Sequence, residues 1–207
     1  IGPLATAWLR VPDDLFHTRL RTLSAWIRVA PEGAAWSQNA MAILARGFMQ
    51  SNRPAPVRRL LAEALSATGV PGVTYLFKQA LQHPDPAMRA AAIVGLSRSA
   101  READLAALNA ALKDAAPAVR EAVVRGLGQV GLDAARLWLE RLVKEGDEWL
   151  SLVAAETITQ YGKAGADFLQ EALQSEDALI RRAAVVGLAR LGMLDVLERT
   201  ARQDDQW

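Results

Sequence analysis

Apolar residues recur at helical spacing along most of the chain. In the segment 118–131, Val119, Val123, Leu127 and Val130 lie three or four residues apart, which places them on one face of an α-helix. The segment 135–143 that follows has the same periodicity. The pattern predicts an all-α chain built from pairs of short amphipathic helices.

These helix pairs repeat. Three segments, 56–69, 87–100 and 118–131, align without gaps at a period of 31 residues. A fourth copy, 150–162, keeps this register, and a fifth, 179–192, comes one residue early. One aligned column holds four arginines, Arg58, Arg89, Arg120 and Arg181. A second helix follows each of the first four repeated segments, at 73–81, 104–112, 135–143 and 166–173. Because neither helix of a pair can bury its apolar face alone, we expect successive pairs to stack.

The ends of the helices also carry local signals. Asp85, Asp147 and Asp177 precede first helices and are good N-cap residues, and Pro117 suits the first helical position. Glycines follow the first helices where the chain has to turn with a positive φ: Gly69, Gly131, Gly162 and Gly192. These signals predict where the helices begin and end.

The residues 85–96, 117–131 and 178–192 are close to the pattern P-x-V-R-x-A-A-x-x-L-G-x-x-G, which is followed by an amphipathic helix. This pattern resembles the HEAT repeat family in its short, phycobilisome-lyase-type form. The resemblance implies a right-handed α-solenoid of stacked antiparallel helix pairs, a HEAT-like superhelix. The fourth copy departs from it, because Trp149 and Ser151 stand where a small residue and an arginine are usual.

The period defines a domain organisation. Residues 1–55 do not fit it; they contain helical segments at 14–30 and 34–50 that either cap the solenoid or belong to an upstream domain. Residues 193–207 contain a truncated last helix and a polar tail. We expect the chain to be part of a larger bacterial protein. The repeats themselves are predicted at 56–85, 86–116, 117–147, 148–177 and 178–192 onward.

Charge and composition exclude several functions. The 24 basic and 23 acidic residues nearly balance, and the segment 56–207 holds 18 basic and 20 acidic residues, so we expect no nucleic-acid partner. A DNA glycosylase activity, which occurs in HEAT-like proteins with basic grooves, is therefore disfavoured. No apolar run reaches the roughly 18 residues of a membrane span, and the basic helix 14–30 is expected to pack on its neighbours, so no membrane partner is predicted.

No chemistry of a catalytic or metal site is apparent. The chain has no cysteine, and its two histidines, His17 and His83, lie outside any ligand spacing. His83 ends a second helix, where its imidazole can meet helix carbonyls. No phosphate-binding glycine loop occurs. We expect no catalytic residue, no metal and no cofactor.

The second helices line the concave face of HEAT solenoids, so the resemblance makes their exposed positions candidates for partner binding. These positions are polar and of mixed sign, which suits a protein or peptide better than a polyanion. Trp149 is the candidate aromatic anchor, and the arginine column is interpreted as a structural ladder paired with aspartates. The candidate concave-face residues are Tyr75, Lys78, Gln79, Gln82, Asn109, Lys113, Glu140, Arg141, Lys144, Gln170 and Gln174.

The leading hypothesis is a cytoplasmic, non-enzymatic scaffold for protein interactions. The resemblance suggests the repeat or sensor segment of a bacterial signalling protein, such as a STAND or NACHT-type NTPase, with other domains of the same chain as further partners. Two alternatives stay open: a phycobilin lyase-like subunit that handles a chromophore, and a structural assembly spacer without a ligand.

Overall fold

The computed structural model describes residues 2–8, 18–50 and 52–203. Within these ranges the chain is helical, with thirteen α-helices and no β-strand. This confirms the predicted all-α class. The chain divides into two compact units, Ile1–Ala122 and Val123–Trp207, and the division falls inside the eighth helix.

The first unit contains seven helices and the start of an eighth. The helix α4 packs on α6 and on α3, and α5 packs on α6, so that neighbouring helix pairs stack side by side. Phe77 and Leu96 are fully buried between them, and the rings of Phe48 and Phe77 meet edge to face with centroids 5.5 Å apart. The helices are α1 (Gly2–Trp8), α2 (Thr18–Arg28), α3 (Ala35–Met49), α4 (Ala55–Ala67), α5 (Gly72–Ala80), α6 (Pro86–Ser99), α7 (Leu105–Ala111) and α8 (Pro117–Val130).

The second unit continues the alternation of first and second helices. The helix α10 packs on α9 and on α12, and α12 packs on α11 and α13. Leu139, Ile158 and Leu188 are fully buried in its core. The further helices are α9 (Asp133–Glu145), α10 (Glu148–Ile158), α11 (Lys163–Ala172), α12 (Ala178–Arg190) and α13 (Leu194–Gln203).

The predicted helix ends are confirmed. The carboxylates of Asp85, Asp147 and Asp177 accept hydrogen bonds from backbone N–H groups two or three residues further on, at 2.8–2.9 Å. The four predicted turn glycines all have φ between 59° and 71°. Residue types therefore set these boundaries, because a capping carboxylate satisfies an otherwise unpaired N–H and glycine adopts a positive φ without strain.

The described part of the divergent N-terminal segment contains the helices α1, α2 and α3. The predicted helix 14–30 corresponds to α2, and residues 14–17, with His17 among them, lie outside the described residues. The helix α1 was not expected from the sequence. Trp8 of α1 stacks on Trp26 of α2 with ring centroids 4.9 Å apart, which gives this short helix an aromatic contact.

Candidate functional site

In the first unit, the candidate residues lie at the surface of α5, on α7 and in the turn after α7. Tyr75 is 66% exposed. Gln79, one helical turn further along α5, donates a hydrogen bond of 2.8 Å to the hydroxyl of Tyr75. Gln82, Asn109 and Lys113 are also exposed. The second-helix periodicity therefore brings five polar side chains to solvent on neighbouring elements.

Lys78 is the exception among these residues, because it is half-buried and already paired. Its Nζ lies 2.6 Å from the carboxylate of the buried Asp104, which also accepts a 3.0 Å hydrogen bond from the backbone N–H of Arg101. Burial alone would raise the pKa of Asp104, but the hydrogen bonds from Lys78 and Arg101 hold it below its ordinary value. Lys78 therefore links α5 to the start of α7.

A cleft of about 430 Å³ runs between the C-terminal ends of α5 and α7. One wall carries an ion pair in which Nε and Nη2 of Arg89 donate to the two carboxylate oxygens of Asp114 at 2.7 and 2.8 Å. These hydrogen bonds raise the pKa of Arg89 and lower that of Asp114, so that both side chains stay charged. The other lining residues are Lys78, Leu81, Gln82, Ala107, Ala110, Ala111, Lys113 and Val119.

In the second unit, the candidates lie on α9 and in and just after α11. Glu140 is ion-paired with Arg136, and Arg141 pairs with Glu145 at 2.8 Å, both one helical turn apart on α9. Nζ of Lys144 lies 5.3 Å from the centre of the Phe168 ring. Opposite charges thus alternate along α9 and form pairs at the surface. Gln170 is half-buried and Gln174 is exposed.

Trp149 is 55% exposed at the start of α10. The preceding residue, Glu148, forms a 2.5 Å ion pair with Arg182 of α12. Leu179 occupies the same place on α12 that Trp149 occupies on α10, two residues after the capping aspartate, and it is 48% exposed. The sequence analysis missed Leu179, although the alignment of the copies could have shown it.

Three arginines of the column form hydrogen bonds with the turn that precedes their own helix. In Arg89, Arg120 and Arg181, Nη1 donates to the backbone carbonyls five and six residues earlier, at 2.8–3.2 Å. These carbonyls belong to the turn that precedes each first helix. In addition, Arg58 and Arg89 pair with Asp85 and Asp114. The geometry favours a structural role, because the guanidinium groups satisfy polar groups of the chain itself.

The ring of His83 takes a different partner from the expected one. Its Nδ1 accepts a 3.1 Å hydrogen bond from the backbone N–H of Asp85, so the imidazole meets an N–H and not the helix carbonyls. The described part of the chain contains no group of three side chains placed to hold a metal ion. Among those same residues, no helix has both the length and the hydropathy needed to cross a bilayer.

Similar solved structures include natural and designed proteins. The CpcE–CpcF complex of phycocyanin lyase from Nostoc sp. PCC7120 is 22% identical over 96% of this chain and 79% of that chain, with a TM-score of 0.50, which shows the fold. A designed armadillo repeat protein is 15% identical over 92% and 100% of the two chains (TM-score 0.45), and human deoxyhypusine hydroxylase is 18% identical over 93% and 97% (TM-score 0.40). No curated protein sequence matches significantly.

A family comparison adds to the likeness in fold. The model for HEAT repeats matches three overlapping windows, residues 48–128, 75–156 and 105–189, which together span well over half of the sequence. The windows contain the arginine column, the capping aspartates and three of the four turn glycines described above, all but Gly192. The predicted resemblance is therefore confirmed, and the chain belongs to the HEAT repeat family.

Proposed function

We propose that this protein is a non-enzymatic scaffold that binds a partner protein through its second helices. The observation that carries the proposal is the chemistry of their exposed positions. Tyr75, Gln79 and Asn109 in the first unit and Arg141 and its ion-pair partner Glu145 in the second present both charges, amides and an aromatic ring to solvent. Mixed polar surfaces of this kind suit the varied side chains of a protein better than a uniform polyanion.

Site-specific photo-crosslinking in cells tests this surface. A photoreactive phenylalanine analogue at Gln79 or Asn109 should give a discrete adduct of higher mass that contains the partner. Arg59 on α4 and Arg190 on α12 are matched controls, because both are exposed residues of first helices. Equal adducts at all four positions, or adducts at the first-helix controls alone, would contradict the proposal. No adduct at any position would favour the spacer alternative.

Trp149, at the start of the first helix α10, is proposed as an additional aromatic anchor outside the second-helix surface. Its exposed ring offers a large apolar contact, and such tryptophans contribute about 2 kcal/mol or more when an interface covers them. Trp149→Ala should therefore weaken binding of the cross-linked partner by roughly thirtyfold or more in calorimetry. Because more than half of the ring already contacts water, the unfolding midpoint should change little. An unchanged affinity would remove Trp149 from the interface.

The chromophore alternative predicts a different result. If the protein handles a bilin, as the phycocyanin lyase that it resembles in fold suggests, adding a free bilin should change the visible absorbance and induce circular dichroism. An unchanged spectrum at saturating protein would end this alternative. A sensor role in a larger STAND or NACHT-type protein, and a cytoplasmic location, stay predictions.

A further inference from the structure

The charges of the protein are divided between its two units. The segment 1–122 carries 14 basic and 9 acidic residues, whereas the segment 123–207 carries 10 basic and 14 acidic residues. The net charges are therefore +5 and −4, which the overall charge of +1 conceals. A field of this size around the first unit attracts anionic groups and raises their rate of encounter.

Within the first unit, the cleft between α5 and α7 has no acidic group left to repel an anion. Asp114 is the one carboxylate among its lining residues, and it is neutralised by Arg89 and by the backbone N–H of Ala116. Behind the wall, Asp104 is neutralised by Lys78. Lys113 remains as an exposed ammonium just after α7, and the amide of Gln82, also exposed, lines the same cleft.

The floor of the cleft limits the size of what it admits. It is formed by the small side chains of Ala107, Ala110 and Ala111 together with Leu81 and Val119. A volume of about 430 Å³ is in the range of pockets that hold small molecules or a few residues of a peptide. The floor therefore suits short apolar side chains, while the rim offers cationic and amide donors.

The type of donor favours carboxylates over a nucleic acid. The guanidinium group of Arg89 donates hydrogen bonds to the carboxylate of Asp114 and to the carbonyls of His83 and Pro84. Its N–H groups are therefore already engaged and do not offer bidentate phosphate binding. The lining also contains no aromatic ring on which a base could stack. What remains is a lysine ammonium, which pairs with a single carboxylate as a point charge.

We propose that this cleft binds an acidic peptide segment of the partner protein, in which carboxylates alternate with small side chains. The inference rests on the proposed scaffold function and adds the partner's chemistry. The acidic side chains contact Lys113 and the amide of Gln82, and the small side chains lie on the alanine floor.

The experiment uses the full chain and a fluorescein-labelled peptide of six Glu-Ala repeats. In anisotropy titrations at low salt, we expect saturable binding that weakens at least tenfold with Lys113→Glu and by an intermediate factor with Lys113→Gln. Lys163→Glu is the matched control, because Lys163 is an exposed lysine of α11 in the second unit, and it should change the affinity less than twofold. Thermal unfolding verifies that each variant folds.

Several results would overturn the proposal. The proposal is wrong if the Glu-Ala peptide does not bind, or if Lys113→Glu and Lys163→Glu weaken its binding equally. It is also wrong if a Gln-Ala peptide binds with the same affinity as the Glu-Ala peptide. Tighter binding of a twelve-residue oligothymidine that also depends on Lys113 would indicate a nucleic acid instead of an acidic peptide. Cross-linking at Gln79 and Asn109 separates the two levels of inference. If adducts form there but the acidic peptide does not bind, only the partner's chemistry is wrong. If both fail, the scaffold function is wrong too.

Discussion

The contact between Gly95 and Phe77 gives the sharpest test of the packing. A Cβ added to Gly95 would lie 2.2 Å from Cζ and 2.6 Å from Cε1 and Cε2 of Phe77, whereas carbon atoms in contact are about 3.5–4.0 Å apart. The ring has no free space to move into, because Phe77 is fully buried and its ring meets Phe48 edge to face. Gly95→Ala therefore has to displace α5 from α6.

The magnitude follows from two opposing contributions. Overpacking a well-packed core costs about 1–3 kcal/mol, and a displacement of more than 1 Å places this site at the upper end of that range. Replacing glycine by alanine inside a helix stabilises by about 1 kcal/mol. We expect Gly95→Ala to lower the free energy of unfolding by about 1–2 kcal/mol.

Urea unfolding followed by tryptophan fluorescence measures the change. The double variant Gly95→Ala/Phe77→Leu provides the control, because the smaller side chain relieves the clash. Phe77→Leu should cost at least about 1 kcal/mol less in the alanine background than in the native one. A Gly95→Ala variant that is more stable by about 1 kcal/mol, as helix propensity alone requires, would refute the packing argument.

Three further outcomes follow from the polar contacts and turns. Asp114→Asn should lower the free energy of unfolding by about 2 kcal/mol in urea titrations, because it removes charged hydrogen bonds to the mostly buried Arg89. Glu145→Gln is the control and should cost under about 0.5 kcal/mol, because the ion pair of Glu145 is exposed. The folded-state pKa values of Asp85 and Asp114 lie below the ordinary 3.8, so the stabilisation by these carboxylates is present above pH 4 and is lost as the pH falls further. The urea unfolding midpoints at pH 6 and pH 3 should therefore differ less in Asp114→Asn than in the native protein. Gly131→Ala should cost about 1 kcal/mol by calorimetry from its φ of 70° alone, since a Cβ there meets no atom within 4 Å, and a neutral result would contradict the strain.

The sequence predicted most of the fold because its signals are local. An aspartate before a helix and a glycine after it act through the nearest backbone groups, so Asp85 and Gly69 could be interpreted without tertiary structure. The helix α1 could not be predicted in this way. Its residues show no repeat, and its ring contact between Trp8 and Trp26 joins segments that are 18 residues apart.

The candidate surface was less accessible to prediction. Helical periodicity identified which side chains of α5 and α7 reach solvent, but not which of them are already paired. Lys78 and Asn109 look alike in the pattern, yet only Lys78 has a buried carboxylate 2.6 Å away. The cleft beside them depends on the direction in which Arg89 turns, and that direction is set by Asp114, 25 residues further along.

The fourth copy shows how one structural need is met by different chemistry. In three other copies, an arginine satisfies the carbonyls of the turn before the first helix; here Ser151 takes its place and donates a 2.8 Å hydrogen bond to the carbonyl of Val143 at the end of α9. The connection is shorter here, since two residues separate α9 from α10 whereas five separate α5 from α6. The departure from the family pattern at residue 151 therefore still ties the first helix to the end of the preceding helix through a side-chain hydrogen bond, whereas the other departure, Trp149, is 55% exposed.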